Sequence, residues 1–170
     1  MTTPGVDAAR ERLTELGYEV LVFHTSGSGG RTLESLAEQG LFAGILDLTL
    51  SERQVRLHNP SITVIRTTAA ECAELGRGVA AKLRAATGPT AVCLPRRGLC
   101  TLGGPGAPYH DPHADDALFT ALRDGLRGSA TELLEFDTHI NDPAFGRAAS
   151  EELHRMITAH RATAGEGRAA

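Results

Sequence analysis

Five short apolar runs of strand composition, at residues 18–23, 43–48, 62–65, 90–94 and 131–136, alternate with stretches of helical spacing. This alternation restricts the fold more than any other feature of the chain. Runs that are apolar on both faces need cover on both sides, and parallel neighbours need a crossover between them. The pattern therefore predicts an α/β domain: a Rossmann-like, mainly parallel sheet of about five strands with helices on both faces. Thr131 to Phe136 alternates enough to suggest an edge position.

The helices are marked by their starts. Thr3-Pro4 puts proline at a first helical position, and Val6, Ala9, Leu13 and Leu16 carry an apolar face to Gly17. A second helix is expected from about Arg31 to Gln39. Thr68, with Glu71 three residues on, is a capping box that heads a helix through Cys72, Leu75, Val79 and Leu83. Asp111-Pro112 and Asp142-Pro143 start two more, the last burying Phe145, Ala149, Leu153, Met156 and Ile157. Between the second and third apolar runs only residues 49–61 remain, the minimum for a parallel crossover, and a short helix is expected at Ser51–Leu57. One domain is expected over residues 1–161, with 162–170 a disordered tail that has nothing to bury.

The formal charge of −4 favours neither nucleic acid nor an anionic membrane as a partner. Lys82 is the single lysine, so almost all the cations are arginines, whose planar fork suits phosphate, and Schiff-base mechanisms are nearly excluded. Cys72, Cys93 and Cys100 form no C-x-x-C pair or disulfide framework. Without a leader or a bilayer-length apolar run, a cytoplasmic location is expected. Cys93 in an apolar strand is expected to be inert, and Cys100 lies in a glycine- and proline-rich loop, Pro95 to Asp111, of the length that is usually functional or mobile.

Ligands of open α/β sheets bind at the carboxyl ends of the strands. After the first run comes Ser26-Gly27-Ser28-Gly29-Gly30-Arg31, a turn able to gather backbone N–H groups at a helix start, where an anion is favoured. It is neither the full P-loop pattern nor the full dinucleotide fingerprint. After the third run come Arg66, Thr67 and Thr68; after the fourth, Arg96, Arg97 and Gly98; after the fifth, Asp137, His139 and Asp142. Converging arginines, hydroxyls and glycines predict a site for phosphate or nucleotide built from Ser26, Gly27, Ser28, Gly29, Gly30, Arg31, Arg66, Thr67, Arg97 and Gly98. A second reading is a hydrolase or lyase in which His110 and His139 act as acid and base with Asp111 or Asp142 and a divalent metal such as Mg²⁺. A third is an assembly module with a vestigial site. The segment from Tyr109 to Asp116 is not by itself a metal site, because Asp111 is explained as an N-cap and Asp115 and Asp116 sit in a first helical turn.

A set of motifs covers nearly the whole chain: Thr2-Thr3-Pro4-Gly5-Val6, the run Gly17 to His24, Gly27-x-Gly29-Gly30-Arg31, Gly44-Ile45-Leu46-Asp47-Leu48-Thr49, His58-Asn59-Pro60, Arg66-Thr67-Thr68, Leu94-Pro95-x-Arg97-Gly98, His110-Asp111-Pro112 and His139-Ile140-Asn141-Asp142-Pro143. With these motifs the chain resembles the tomato mosaic virus resistance protein-like ATP-binding family, in its bacterial branch. The resemblance implies two Rossmann-like lobes, a nucleotide site for ATP and self-association into homo-oligomers. The chain resembles the second lobe, which makes a separate N-terminal lobe an expected partner. Family members carry several dozen more residues between the positions matching Thr49 and His58, so the short connection there resembles an internal deletion.

Overall fold

The computed structural model of the chain describes residues 2–24, 28–48, 56–59, 62–64 and 66–166. The elements in order are α1 (Thr3–Glu15), α2 (Ser28–Glu38), β1 (Arg56–Asn59), β2 (Ile62–Val64), α3 (Ala69–Arg84), β3 (Ala91–Pro95), α4 (Pro112–Leu126), β4 (Glu132–Phe136) and α5 (Pro143–Glu166). The architecture is α/β and consistent with a Rossmann-like fold. Its centre is the parallel pair β3–β4, in register from Ala91 opposite Glu132 to Pro95 opposite Phe136, with α4 as the crossover.

The two faces of this pair are covered differently. Val92, Leu94 and Leu133 face α3 and α4, where Leu118, Phe119, Leu122 and Leu126 form the main core with Cys72 and Ala80. On the other face Phe136 meets Phe145 of α5 edge to face, ring centroids 5.6 Å apart. Burial there pushes the Cys93 thiol up to about 11, so it stays protonated and inert, as its place in the apolar run predicts.

Each helix pair is joined through a seam of small residues. In the α3–α4 pair a Cβ on Gly76 would lie 2.7 Å from the Ala121 Cβ and 2.9 Å from the Leu118 carbonyl oxygen. In the α1–α5 pair a Cβ on Gly146 would lie 2.7 Å from the Gly5 carbonyl oxygen, and the buried Ser150 hydroxyl donates to the Ala9 carbonyl at 3.1 Å. Three of the expected caps are present, while α1 begins at Thr3 itself, with Thr2 at the cap position and no side-chain cap bond. Thr68 and Glu71 make the reciprocal capping box of α3. Asp111 accepts from the Ala114 N–H at 3.0 Å, and Asp142 from the Ala144 N–H at 2.9 Å. At the far end of α4, Arg84 donates to the carbonyls of Gly125 and Arg127 at 3.2 and 3.1 Å.

The sheet departs from expectation in its first half. Residues 18–23 and 43–48 are extended but join no ladder among the described residues. They lie along α1 and α5, with Tyr18, Val20 and Leu46 packed against Leu13, Leu153 and Ile157. A strand exists only where a neighbour supplies hydrogen bonds about 4.8 Å away, and here a cleft of about 890 Å³ opens among α1, α5 and the two runs. The third run is β2, but it pairs antiparallel with β1, Arg56 opposite Val64 and Asn59 opposite Ile62. Two strands this close in sequence can meet only as a hairpin, since a parallel pair needs a crossover. Of the helix expected at Ser51–Leu57, residues 51–55 lie outside the described residues, and Arg56 and Leu57 belong to β1. Helix α2 begins at Ser28 rather than Arg31, which makes Ser28 to Arg31 its first turn, and α5 continues to Glu166.

The small-residue seams make a contrast that denaturation can measure. Gly76→Leu is expected to cost about 1–3 kcal/mol by forcing α3 and α4 apart. Gly78→Ala in the same helix, with nothing within 4 Å of the added carbon, is expected to stabilise by about 0.5–1 kcal/mol. Urea unfolding followed by circular dichroism reads both.

Candidate functional site

The carboxyl ends of β3 and β4 run on into two loops that stay paired beyond the strands. Arg96 N–H donates to the Phe136 carbonyl at 2.9 Å, Arg97 N–H to Thr138 at 3.0 Å, and Ile140 N–H to Gly98 at 2.9 Å. Gly98 has φ +134°, and a Cβ there would lie 2.7 Å from the His139 ring. Only glycine lets the backbone cross the imidazole this closely. The His139 Nε2–H donates to the Cys100 carbonyl at 2.9 Å, so Nδ1 is the acceptor for the Asn141 N–H at 3.0 Å. With both nitrogens engaged in these senses the ring is the neutral Nε2–H tautomer and fastens one loop to the other.

The long loop is packed against the domain. Leu99, Cys100 and Tyr109 are buried, and the Tyr109 N–H donates to the Leu102 carbonyl at 2.8 Å. Cys100 is therefore not an exposed thiol, and its sulfur accepts from the Leu102 N–H at 3.2 Å. His110 closes the loop differently from His139. Its Nδ1–H donates to the Gly103 carbonyl at 3.1 Å, which leaves the Nε2 lone pair without a hydrogen-bond partner among the described residues.

Arg96, Arg97, His110, Asp115, Asp116 and Phe119 line a cleft of about 370 Å³, together with Gly103, Pro105 and Pro112. The two arginines are not equivalent. Arg97 makes a two-pronged pair with Asp137 at 2.8 and 2.7 Å, which holds the Asp137 carboxyl below its ordinary range and the guanidinium above its own. Arg96 is 3.6 Å from Glu135, a carboxylate that Arg123 already holds at 2.6 and 2.9 Å. Arg96 is thus the loosely paired cation at the cleft, its side chain 58% exposed.

Beneath the cleft lies a buried ion pair. Arg66 Nη2 donates to Asp115 Oδ1 at 2.5 Å and to the Asp111 carbonyl at 3.1 Å, while its Nε is buried without a partner. Burial pushes the Asp115 carboxyl above its ordinary range, and the pull of Arg66 does not cancel it. For Arg66 burial is the largest influence and works against the charge, but the hydrogen bond to Asp115 and the attraction of Asp115, Cys72 and Asp111 together outweigh it and hold the guanidinium above its ordinary range. Thr67 is buried next to it, its hydroxyl accepting from the Cys72 thiol at 3.1 Å.

The structure thus gathers Arg97, Gly98, His110 and His139 at one edge, with Arg66 and Thr67 below. His110 lines the cleft, whereas His139 does not. Ser28, Gly29, Gly30 and Arg31 lie in the first turn of α2 and are not part of this cleft, while Ser26 and Gly27 lie outside the described residues. A Cβ on Gly29 would sit 2.2 Å from the His24 carbonyl oxygen, so this glycine is required by chain packing. Sequence reasoning missed Asp115 and passed over Arg96. Asp115 shares a helical face with Leu118 and Leu122, a spacing that places a carboxylate in the core and calls for a buried cation. Among the described residues no three His, Cys, Asp or Glu side chains gather to hold a metal ion, and no helix is long and apolar enough to cross a membrane.

The sequence matches the family described as Uncharacterised protein family (UPF0261) C-terminal domain over residues 1–54 and 50–157. It is 34% identical over 201 positions to a UPF0261 protein of Rhizobium meliloti (strain 1021), covering 88% of this chain and 50% of that protein. A UPF0261 protein of Clostridium tetani (strain Massachusetts / E88) is 28% identical over 208 positions, covering 92% and 52%. The ToMV resistance protein Tm-1 of Solanum lycopersicum is 29% identical over 200 positions, covering 87% and 26%. The chain spans about half the length of these bacterial relatives. Its family match falls into two pieces that meet at residues 50–54. An alignment of 201 positions over 88% of 170 residues, about 150 residues, leaves about 50 positions with no counterpart in this chain.

Two measurements follow from the buried pair. Arg66→Met strands the Asp115 carboxylate and is expected to cost about 3–5 kcal/mol, with much of the loss recovered in Arg66→Met/Asp115→Leu. Because the folded-state pKa of Asp115 is raised, the folded protein holds its proton longer than the unfolded chain. The stability this contributes is complete below the ordinary carboxyl range and is lost as pH rises through the folded value. The stability difference between the native protein and Asp115→Asn should therefore move against the native protein as pH rises above about 4, then level off. Urea titrations across that window test the sign.

Proposed function

This chain belongs to the uncharacterised protein family UPF0261, as its C-terminal domain, and from there we propose that it is a phosphate-ligand-binding α/β module. The ligand is a phosphorylated small molecule or nucleotide held at the carboxyl edge of β3 and β4. The observation that carries this reading is the loosely paired Arg96 beside Arg97 and His110 in one cleft, at the edge where α/β sheets place their ligands. A guanidinium 3.6 Å from a carboxylate already held by another arginine gains more from a phosphate than from its present partner. The choice of ATP rests on the family resemblance. A nucleotide would bring Mg²⁺ with it, and the exposed Asp116 is the wall carboxylate suited to one coordination place. Because the chain spans about half of its bacterial relatives, the rest of the ligand's contacts are assigned to an N-terminal lobe.

A second reading, a hydrolase or lyase, rests on His110 alone. Its Nδ1–H is anchored on the Gly103 carbonyl, which leaves Nε2 as the ring nitrogen available for proton transfer. His139, with both nitrogens occupied, is given a structural task and not the role of partner acid.

Thermal denaturation with inorganic phosphate, and with ATP in the presence and absence of Mg²⁺, tests the site. Ligand at 100 times its dissociation constant should add about 2.7 kcal/mol. Arg96→Ala should fold normally and weaken binding by about 10- to 100-fold, as expected for losing hydrogen bonds to a charged group. No shift with any of these ligands, or the same shift in Arg96→Ala, would refute the assignment.

A further inference from the structure

We propose that the ligand of the β3–β4 cleft is a hydroxylated phosphate ester, a small phosphorylated polyol or sugar, and that Asp115 selects it by accepting a hydrogen bond from one of its hydroxyls. The proposal rests on the phosphate reading of this cleft and narrows it. The cleft brings together groups of opposite character: Arg96 and Arg97 follow β3, while Asp115 and Asp116 stand near the start of α4. A bare phosphate uses only the arginines. Asp115 is nearly buried, its side chain 10% exposed, and its Oδ1 is taken by Arg66 Nη2 at 2.5 Å, with Arg66 held in turn on the Asp111 carbonyl at 3.1 Å. Oδ2 has no hydrogen-bond partner among the described residues, yet the buried side-chain atoms left without a partner are Arg66 Nε and Thr138 Oγ1. Oδ2 is therefore the part of this carboxylate that meets the cleft.

The ion pair with Arg66 decides which donor suits that oxygen. A carboxylate already neutralised by a buried guanidinium has little field left for an ammonium group, and an ammonium in this cleft would also meet Arg96 and Arg97. A neutral hydroxyl carries no such cost, and it supplies the donor that a largely desolvated carboxylate oxygen lacks. Asp116, its side chain 73% exposed, has water for a donor and gains little from a ligand. Arg66 fixes the direction of the Asp115 carboxylate before anything binds, which is what a selective acceptor requires. Pro105, Pro112 and Phe119 give the carbon skeleton an apolar wall. At about 370 Å³ the cleft lies near the lower end of small-molecule sites, roughly 300–1,000 Å³, so the phosphate and the hydroxyl belong to one compact molecule.

Titration calorimetry of the native chain with glycerol phosphate and with n-propyl phosphate, which shares the carbon chain and the phosphate but has no hydroxyl, tests this without any variant. Glycerol phosphate is expected to bind about tenfold tighter or more, because a site that hydrogen-bonds a ligand hydroxyl discriminates against the analogue lacking it. Arg66→Met/Asp115→Leu removes the acceptor together with its buried partner, and in it the two esters should bind alike. Arg96→Ala should weaken both esters by the same factor. Equal affinities in the native protein overturn the selection by Asp115 and leave the phosphate reading standing. A preference that survives in the double variant assigns the hydroxyl to another group and overturns the proposal as well. No binding of either ester by the native protein overturns the phosphate reading and the selection with it.

Discussion

The parallel ladder between β3 and β4 is the constraint on which the rest of the structure depends. It is only five residue pairs long, yet its register is carried past both strand ends by the backbone bonds of Arg96, Arg97 and Ile140. Because those bonds lie outside the strands proper, the loops that bear Arg97, Gly98 and His139 inherit the geometry of the sheet. The backbone that lines one side of the cleft is consequently tied to the sheet by hydrogen bonds, while the Arg96 side chain on it stays loosely paired.

The second half of the fold is readable in the sequence, because there each signal is local and the tertiary context agrees with it. Thr68 with Glu71, Asp111-Pro112 and Asp142-Pro143 specify helix starts through side-chain geometry within four residues, and all three appear where they stand. The first half is less legible for a physical reason. A run such as Val20-Leu21-Val22-Phe23 has the composition of a buried strand, but whether it becomes one depends on a neighbour elsewhere in the chain, and that dependence leaves no local mark. The hairpin of β1 and β2 shows the same limit, since the length of the connection, and not the composition of Ile62 to Val64, decides which way the strand pairs.

The candidate site is legible to a similar degree. That residues following apolar runs collect at one edge is a topological rule, and the structure has Arg97 lining one cleft with His110. What each residue does there is a matter of partners. Arg97 is spoken for by Asp137 while its neighbour Arg96 is not, and His139 has both nitrogens occupied while His110 has one. Consecutive or similar residues in the sequence thus take different tasks once their hydrogen bonds are counted. Asp115 illustrates the reverse case: ordinary as a residue of a first helical turn, it becomes the buried anchor of Arg66 only because its helical face is the one turned inward.

Helix α4 is moored at both ends to the neighbourhood of α3. At its start Arg66, two residues before the α3 cap, grips Asp115 and the Asp111 carbonyl; at its finish Arg84, the last residue of α3, grips the carbonyls of Gly125 and Arg127. Between these moorings the helix is a stiff rod of about 22 Å, at 1.5 Å per residue over its 15 residues. Both moorings come from the two ends of one neighbouring helix, so the orientation of α4 against α3 is fixed by cation–carbonyl and cation–carboxylate contacts at its ends as well as by the apolar seam between them.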